Sequence, residues 1–431
     1  MTTNAELFER AQQVIPGGVN SPVRAFRSVG GTPYFVARGE GARVWDVEGR
    51  AYLDLVQSYG AVIAGHAHPK IVEAIRAAAG DGTSYGAPTE REVLLAEEIR
   101  RRVPSCQKVR MVSSGTEATM TALRLARGAT GRNRVVKFAG NYHGHGDALL
   151  AESGSAVAHL DPAHSPGGVP GSAGVPQAAV TDTVIAPYND VPELDRTVAC
   201  VIVEPVAANM GLVQPVDGFL AGLRAECDRV GALLIFDEVI TGFRLAWGGA
   251  QAVYDVVPDL TCFGKVIGGG LNVGAFGGRA DLMDHLAPLG PVYQAGTLSG
   301  NPLATAAGLA ALELCTPEAY DELFGRARRL ASGLGAALAD AGIDAVVPVA
   351  GPLVGLHLGA TAPRTYAEAR TTDEAGYASF FHAMLQRGVA MAPGAYEVMF
   401  PGLAHDDAVI DRIVAIAAEA AVAVAAASDR R

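Results

Sequence analysis

The sequence predicts an α/β fold in which a wound parallel sheet is covered by helices and followed by a smaller unit. Between about residues 60 and 315, helical periodicity alternates with β-type segments, the pattern of a parallel sheet with helices on its faces. From about residue 316 onwards, amphipathic helices mix with short strands, which indicates a separate unit. Four apolar runs are the clearest buried strands: Val109–Ser113, Arg134–Phe138, Ala199–Val203 and Leu233–Phe236.

The N-terminal residues predict one helix and two strands before this alternating region begins. Apolar residues at helical spacing run from Leu7 to Ile15, and Pro16 ends the pattern. Thr32–Ala37 and Ala42–Asp46 have strand-like composition on either side of a glycine-containing turn. The first ten residues are polar and acidic and lack the apolar stretch of a signal peptide.

Three further helices have clear sequence signals. Thr89 and Ser114 are each followed three residues later by a glutamate, which predicts capping boxes that open helices ending near Arg102 and Gly128. The Ala-rich stretch Ile413–Ala427 is too short to span a bilayer and predicts a C-terminal helix.

The segment Ser153–Val180 is long, rich in Gly, Pro, Ser and Ala, and has no periodicity. Such a segment is usually either disordered or a functional lid over a site. We favour a lid, because the segment lies between the two clusters of residues that carry the chemistry described below.

Composition excludes several classes of function. The chain has 45 Asp and Glu against 34 Lys and Arg, a formal net charge of -11, which argues against a broad nucleic-acid or anionic-membrane surface. The five cysteines form no C-x-x-C pair and are expected to be reduced core thiols of a cytoplasmic protein. They are Cys106, Cys200, Cys227, Cys262 and Cys315.

A carboxylate and a lysine form the centre of the predicted site. The apolar run Leu233–Phe236 ends in Asp237, and parallel sheets bind ligands at the carboxyl ends of their strands. Lys265 stands alone in an apolar, glycine-rich stretch. Either residue by itself could be an ordinary ion-paired or solvent-facing side chain. Together they suit a carbonyl cofactor, since a desolvated amine forms an imine and a carboxylate keeps a pyridine nitrogen protonated.

A third element supplies an anchor for a phosphate. In the segment Val112–Ala118 a strand runs into a helix N-terminus that carries Ser114, Gly115 and Thr116. Hydroxyls, backbone N–H groups and the helix dipole all favour an anion at such a position. Ser114 can also be an ordinary helix cap, and the two roles are compatible.

The sequence does not match other common phosphate-binding or metal-binding motifs. Val266 follows Lys265 where a P-loop needs Ser or Thr, and Asp259 stands where its first glycine belongs. No glycine pattern fits a dinucleotide site. The pairs His66-x-His68 and His143-x-His145 have no third ligand in a matching context, so no metal is predicted.

With these motifs in place, the chain resembles the class III aminotransferase group of fold-type I pyridoxal-phosphate enzymes. The order and spacing of the matching segments carry the resemblance, which covers almost the whole chain. They are residues 16–26, 82–88, 113–118, 142–145, 236–244, 264–270 and 293–301.

The resemblance implies the architecture and the assembly. It implies a large domain with a mostly parallel seven-stranded sheet and a smaller α+β domain built from both chain ends. We place the boundaries at residues 1–60, an N-terminal segment of the small domain and dimer contact, 61–315, the large domain, and 316–431. It also implies a homodimer with the phosphate site shared across the interface, a small-molecule substrate, and pyridoxal or pyridoxamine 5'-phosphate as cofactor.

The same resemblance implies a role for each cofactor residue. Lys265 would hold the cofactor and move protons, Asp237 would face the pyridine nitrogen, and Tyr142 would lie over the ring. The other implied cofactor residues are Ser114, Gly115, Thr116, His143, Glu204, Asn209, Val239 and, from the partner subunit, Gly296 and Thr297.

For the substrate, the resemblance implies that Ser21 and Arg24 bind a carboxylate, that Glu397 lies near an amine and that Tyr59 lines the pocket. The family usually has Trp at position 59 and Ser where Gly394 stands. The implied reaction is an internal exchange of amino and carbonyl groups. An ordinary aminotransferase, or a mutase on another substrate, is the main alternative. A non-catalytic relative is a further one.

Overall fold

The computed structural model describes residues 2–151, 168–359 and 361–428. Residues 153–167 of the predicted lid lie outside these ranges, and residues 177–180 of that segment form a short helix. The helices are α1 (Asn4–Val14), α2 (Pro69–Asp81), α3 (Glu90–Arg102), α4 (Gly115–Thr130), α5 (Gln177–Val180), α6 (Phe219–Val230), α7 (Gly249–Tyr254), α8 (Ala280–Met283), α9 (Pro302–Leu314), α10 (Pro317–Asp340), α11 (Tyr366–Ala369), α12 (Glu374–Gln386) and α13 (Asp407–Ser428).

A seven-stranded sheet forms the large part of the molecule, as predicted. Its strand order is β4-β10-β9-β8-β7-β5-β6, and all neighbouring pairs are parallel except those of β10. The strands are β1 (Val36–Glu40), β2 (Arg43–Asp46), β3 (Ala51–Asp54), β4 (Lys108–Val112), β5 (Arg134–Phe138), β6 (Thr183–Ala186), β7 (Val198–Val203), β8 (Leu233–Asp237), β9 (Leu260–Phe263), β10 (Gly274–Gly278), β11 (Ala345–Val346), β12 (Val349–Ala350), β13 (Leu353–Val354), β14 (His357–Leu358) and β15 (Val389–Ala390).

Both chain ends build the smaller α+β part, which also confirms the predicted fold class. Strands β1, β2 and β3 form an antiparallel run, and β15 from the C-terminal part pairs in parallel with β3. Helices α10, α12 and α13 supply most of the adjoining core, into which Phe26 and Leu55 also pack. The two ends of the chain therefore share one hydrophobic core. The domain boundaries given above stay a prediction.

Most predicted elements occur close to their expected positions, and the first strand is the main exception. β1 begins four residues after the predicted start and extends beyond the predicted end, where Gly39 and Glu40 pair with Val44 and Arg43. The Thr89 capping box is present, since the Thr89 N–H donates to Glu92 at 2.8 Å. At Ser114 the hydroxyl accepts from the backbone of Glu117, and the glutamate side chain instead accepts from the N–H of Ser113.

The cysteines lie in the core, as the sequence analysis predicted. All five cysteines are free and buried. Across the described ranges, none of the helices combines the length and the apolar character needed to cross a membrane.

Close packing fixes the turn that carries Lys265. A short 3-10 turn, Lys265–Gly268, follows β9 and packs against α9. A Cβ added at Gly308 of α9 would lie 1.9 Å from the carbonyl oxygen of Ile267 in this turn. Only glycine allows so close an approach of helix and turn.

We expect Gly308→Ala to destabilise the protein by about 1–3 kcal/mol, because the new methyl group overpacks this contact. Gly325→Ala is the matched control, since Gly325 lies inside α10 with no atom within 4 Å of its added Cβ. The control should gain up to about 1 kcal/mol from helix propensity. Thermal unfolding of both variants measures the difference. Equal stability of the two variants would contradict the packing argument.

Candidate active site

One large cavity lies at the carboxyl edge of the seven-stranded sheet. Its volume is about 910 Å³. Since β4, β5, β7, β8 and β9 run in the same direction, the residues that follow them meet at this edge. The cavity brings together Ser21, Arg24, Tyr59, Ser114, Gly115, Thr116, Tyr142, His143, Glu204, Asn209, Asp237, Val239, Lys265 and Glu397, which are all but two of the predicted site residues.

Asp237 ends β8 and is 4% exposed. One carboxylate oxygen accepts the backbone N–H of Val239 at 3.0 Å, and the other lies 2.7 Å from Nδ1 of His143. Burial lowers the pKa of His143. A neutral imidazole that donates from Nδ1 to the carboxylate satisfies this geometry. The two contacts leave Asp237 little freedom to turn away from the cavity.

Lys265 follows β9 and its side chain reaches the same cavity. Its backbone φ of 48° is in the left-handed region, which few residues with a Cβ occupy. Desolvation lowers the pKa of the Lys265 amine, and the nearby carboxylates Glu397 and Asp237 partly oppose this effect. A lysine with a lowered pKa has a larger neutral fraction and is therefore a better nucleophile and proton acceptor.

The N-terminus of α4 provides the predicted anion site. The hydroxyl of Ser114 caps the helix, and the first N–H groups of a helix have no intrahelical acceptors. A Cβ at Gly115 would lie 3.0 Å from the Val239 side chain, so the helix end and the β8 loop are in close contact. Thr116 packs in the same way against Gly144.

Glu204 organises a second wall of the cavity. It follows β7 and accepts hydrogen bonds from the Tyr142 N–H at 2.7 Å and from the Asn209 side chain at 2.9 Å. Burial, and then the charge of Asp237, raises the pKa of Glu204 to about 8. Burial also raises the pKa of Tyr142. Both groups are therefore held in their neutral forms more strongly than in water.

The predicted substrate residues line the outer part of the cavity and come from both chain ends. Arg24 is exposed on a short turn beside Ser21, and it has no ion pair among the described residues. Tyr59 is largely buried, and burial followed by the nearby Glu397 raises its pKa. A cationic, a phenolic and an anionic group therefore face one space.

Tyr396 and Glu374 are among the cavity-lining residues that the sequence analysis missed. The Tyr396 hydroxyl donates to Glu374 at 2.7 Å, and both side chains line the cavity. Glu374 is the first residue of α12, and Asp373 caps that helix. The only signal in the sequence was this cap, which gives no information about a distant cavity.

Gly296 and Thr297 do not line the cavity of their own chain. They lie on an exposed stretch that also carries the exposed Tyr293 and Leu298. The prediction placed them in the partner subunit's site, and it stays a prediction.

The histidine pairs are separate from each other: His66 contacts Asp54 at 2.7 Å, whereas His143 belongs to the cavity. Within the described ranges no cluster of three potential metal ligands occurs.

These residues fit pyridoxal phosphate. A buried carboxylate, a desolvated lysine and a helix N-terminus line one cavity, which matches the pyridine nitrogen, the aldehyde and the phosphate of the cofactor. The Nε2 atom of the buried His143 has no hydrogen-bond partner among the described residues, so a polar group can still be added there.

Comparison with known proteins gives a consistent picture. The family profile described as "Aminotransferase class-III" matches residues 26–420. The chain is 55% identical over 418 residues to a glutamate-1-semialdehyde 2,1-aminomutase from Bordetella avium (strain 197N), covering 95% of this chain and 96% of that one.

Solved structures share the fold over nearly the whole length. An omega-transaminase from Sphaerobacter thermophilus is 36% identical, with a TM-score of 0.88 and 98% of each chain covered. A glutamate-1-semialdehyde-aminomutase variant from Pseudomonas aeruginosa PAO1, solved in complex with PMP, is 27% identical, with a TM-score of 0.84 and 97% and 93% of the two chains covered.

The raised pKa of Glu204 predicts a pH-dependent contribution to stability. Between the ordinary value of 4.5 and about 8, the folded protein holds a proton that the unfolded chain has released. The contribution is therefore complete below pH 4.5 and is lost as pH rises through 8. We expect Glu204→Gln to gain stability relative to the parent as pH rises from 5 to 8, by a few kcal/mol.

Unfolding of the cofactor-free protein at several pH values measures this difference. Glu226→Gln is the control, because hydrogen bonds from Arg229 lower the pKa of Glu226 and its titration falls below this window. A pH-independent difference between parent and Glu204→Gln would show that Glu204 titrates normally.

Proposed function

Since the chain belongs to the class-III aminotransferase family, we propose that it converts glutamate-1-semialdehyde to 5-aminolevulinate, a tetrapyrrole precursor. The enzyme is a pyridoxal-phosphate-dependent aminomutase, an isomerase, and uses both the pyridoxal and the pyridoxamine form of the cofactor. The observation that carries the proposal is the meeting of Lys265, Asp237 and the α4 N-terminus in one cavity.

The cofactor is held by residues with distinct tasks. Ser114, Gly115 and Thr116 would bind the phosphate at the N-terminus of α4. Asp237, fixed by His143, would keep the pyridine nitrogen protonated. The remaining cofactor contacts in the same chain would come from Tyr142, Glu204, Asn209 and Val239, which line the cavity around this position. When bound, the cofactor supplies an electron sink for the carbon atom next to the transferred amine.

Lys265 is the group that moves protons. Its lowered pKa would let its amine take up and release the proton that moves between a substrate carbon and the cofactor. The reaction exchanges an amine and a carbonyl oxygen between neighbouring carbons of one molecule. It therefore consumes no second amino donor, and the product has the same atoms as the substrate.

The outer residues orient a five-carbon substrate with one carboxylate. Arg24 and Ser21 would bind that carboxylate, which places the reacting carbons deeper, towards Lys265. Glu397 would face the substrate amine. Tyr59 lies near both Glu397 and Arg24 and would contact the carbon chain.

A second candidate is an aminotransferase that acts on another amino acid. Tyr59 and Gly394 line the cavity where the resemblance leads us to expect Trp and Ser, so this wall differs in shape. The structural similarity to an omega-transaminase is consistent with such an activity.

Turnover of glutamate-1-semialdehyde without any added amino donor tests the proposal. A mutase started in the pyridoxamine form should produce 5-aminolevulinate over many cycles, whereas an aminotransferase should stop after one half-reaction. Lys265→Ala should lose at least about 10³-fold in kcat, because the proton carrier is absent. Product limited to one equivalent per active site would favour the aminotransferase.

We also infer that the enzyme is a cytoplasmic homodimer that shares its phosphate site. Gly296 and Thr297 lie outside their own cavity, on a stretch with the large exposed apolar residues Leu289, Tyr293 and Leu298. Apolar groups exposed in such a cluster favour burial against another protein surface. The five free thiols support a reducing compartment.

Mixing two inactive variants tests the shared site. Lys265→Ala has no proton carrier, and Thr297→Ala should bind the cofactor weakly. If Thr297 acts on the partner's site, a mixed dimer contains one site with both residues intact, and mixing should restore activity. Thr181→Ala, at an exposed threonine far along the chain, is the control for Thr297→Ala. Mixtures with no recovered activity, despite subunit exchange, would place Thr297 outside the shared site.

A further inference from the structure

The segment Gln57–Tyr59 has an unusual backbone. Three successive residues with side chains have φ values of 44°, 53° and 54°. The left-handed region is unfavourable for a residue with a Cβ, and three such residues in a row persist only where neighbouring groups hold them. The segment contains Tyr59, which lines the cavity, so whatever holds the backbone also sets the position of a substrate-facing side chain.

Asp54 holds the segment from one side. It is 4% exposed at the end of β3, and its two carboxylate oxygens accept the N–H groups of Val56 at 2.9 Å and Gln57 at 3.2 Å. The side-chain amide of Gln57 also donates to the carbonyl oxygen of Asp54 at 3.0 Å. His66 fixes the carboxylate, with Nε2 at 2.7 Å.

Arg244 holds the segment from the other side. Its side chain is fully buried, and its guanidinium donates to the carbonyl oxygens of Gly60 at 3.1 Å and Pro401 at 3.4 Å. It also lies 5.3 Å from the centre of the Phe400 ring. Among the described residues it has no ion pair, which is unusual for a buried guanidinium. Burial lowers the pKa of Arg244 to about 10, so it remains charged at neutral pH.

These contacts join parts of the cavity wall that are far apart in the chain. Arg244 belongs to the loop after β8, the strand that ends at Asp237. Gly60 directly follows Tyr59, and the segment Glu397–Pro401 carries the carboxylate expected to face the amine. The guanidinium of Arg244 therefore connects the loop after β8 to two other segments, one containing Gly60 and one containing Pro401, which come from the two ends of the chain.

We propose that Asp54 and Arg244 are positioning residues for substrate selection, because together they hold the left-handed turn that presents Tyr59 to the cavity, near Arg24 and Glu397. Neither residue contacts the reacting atoms. Which substrate is selected rests on the function proposed above. The positioning itself does not depend on the identity of that substrate.

A purely structural role is the competing explanation, since removal of any buried charge destabilises a protein. Two matched residues separate the explanations. Asp46 is 2% exposed and accepts backbone N–H groups of Glu48 and Arg50 in another turn. Arg102 is 4% exposed and donates to two backbone carbonyls. Neither lines the cavity.

The test compares Asp54→Asn and Arg244→Lys with the controls Asp46→Asn and Arg102→Lys in the holoenzyme. We expect all four to lose thermal stability. Only the first two should raise KM for glutamate-1-semialdehyde by about tenfold, with kcat changed less than about threefold, because the substrate wall moves while the proton carrier does not. Hydrogen exchange of the amides of residues 56–62 should accelerate only in these two.

Relief of the backbone strain provides a rescue. Ser58 is exposed with φ 53°, and Ser58→Gly makes the left-handed turn favourable without changing a buried contact. We expect Asp54→Asn combined with Ser58→Gly to recover most of the KM and of the amide protection. Ser58→Gly should not rescue Asp46→Asn.

The results decide between the explanations. Equal KM increases in the controls, or unchanged KM and exchange in Asp54→Asn and Arg244→Lys, would overturn the positioning role. So would a failed rescue. If the parent enzyme does not convert glutamate-1-semialdehyde, the proposed function fails, and the exchange rates and their rescue still support or overturn the positioning role by themselves.

Discussion

The active site depends on the common direction of five strands in the seven-stranded sheet. Because β4, β5, β7, β8 and β9 all end at one edge, each delivers the residue that follows it to the same cavity. The N-terminus of α4, Tyr142, Asp237 and Lys265 therefore need not be neighbours in the sequence. A reversal of one of these strands would remove its residue from the site.

Desolvation then shifts the protonation of the ionisable side chains that the sheet brings to the cavity. Burial lowers the pKa of Lys265 and raises that of Glu204 to about 8, so both groups move towards neutrality. Asp237 is held by His143 and by the backbone of Val239. The Asp237 carboxylate thus has fixed partners, and the neutral fraction of the Lys265 amine is increased.

The sequence located most of the residues that line the cavity, because those from the seven-stranded sheet follow a buried strand or open a helix. The contacts of Asp54 and Arg244 that hold the turn around Tyr59 could not be predicted in this way. Asp54 and Arg244 are 190 positions apart (244 − 54), and both bind the backbone of residues 56–60 only because the chain packs these distant segments together. Glu374 likewise reaches the cavity from a helix of the C-terminal part. Such long-range pairs leave no local periodicity or spacing.

Burial of the cysteines protects the chemistry as well as the fold. Burial raises the pKa of all five thiols, to about 11 for Cys315 and about 12 for Cys106, Cys200 and Cys227, with Cys262 shifted in the same direction. A thiolate adds readily to an aldehyde, the group that pyridoxal phosphate carries. Burial keeps these five thiols protonated and away from the cavity, so they do not compete with Lys265 for an aldehyde bound there.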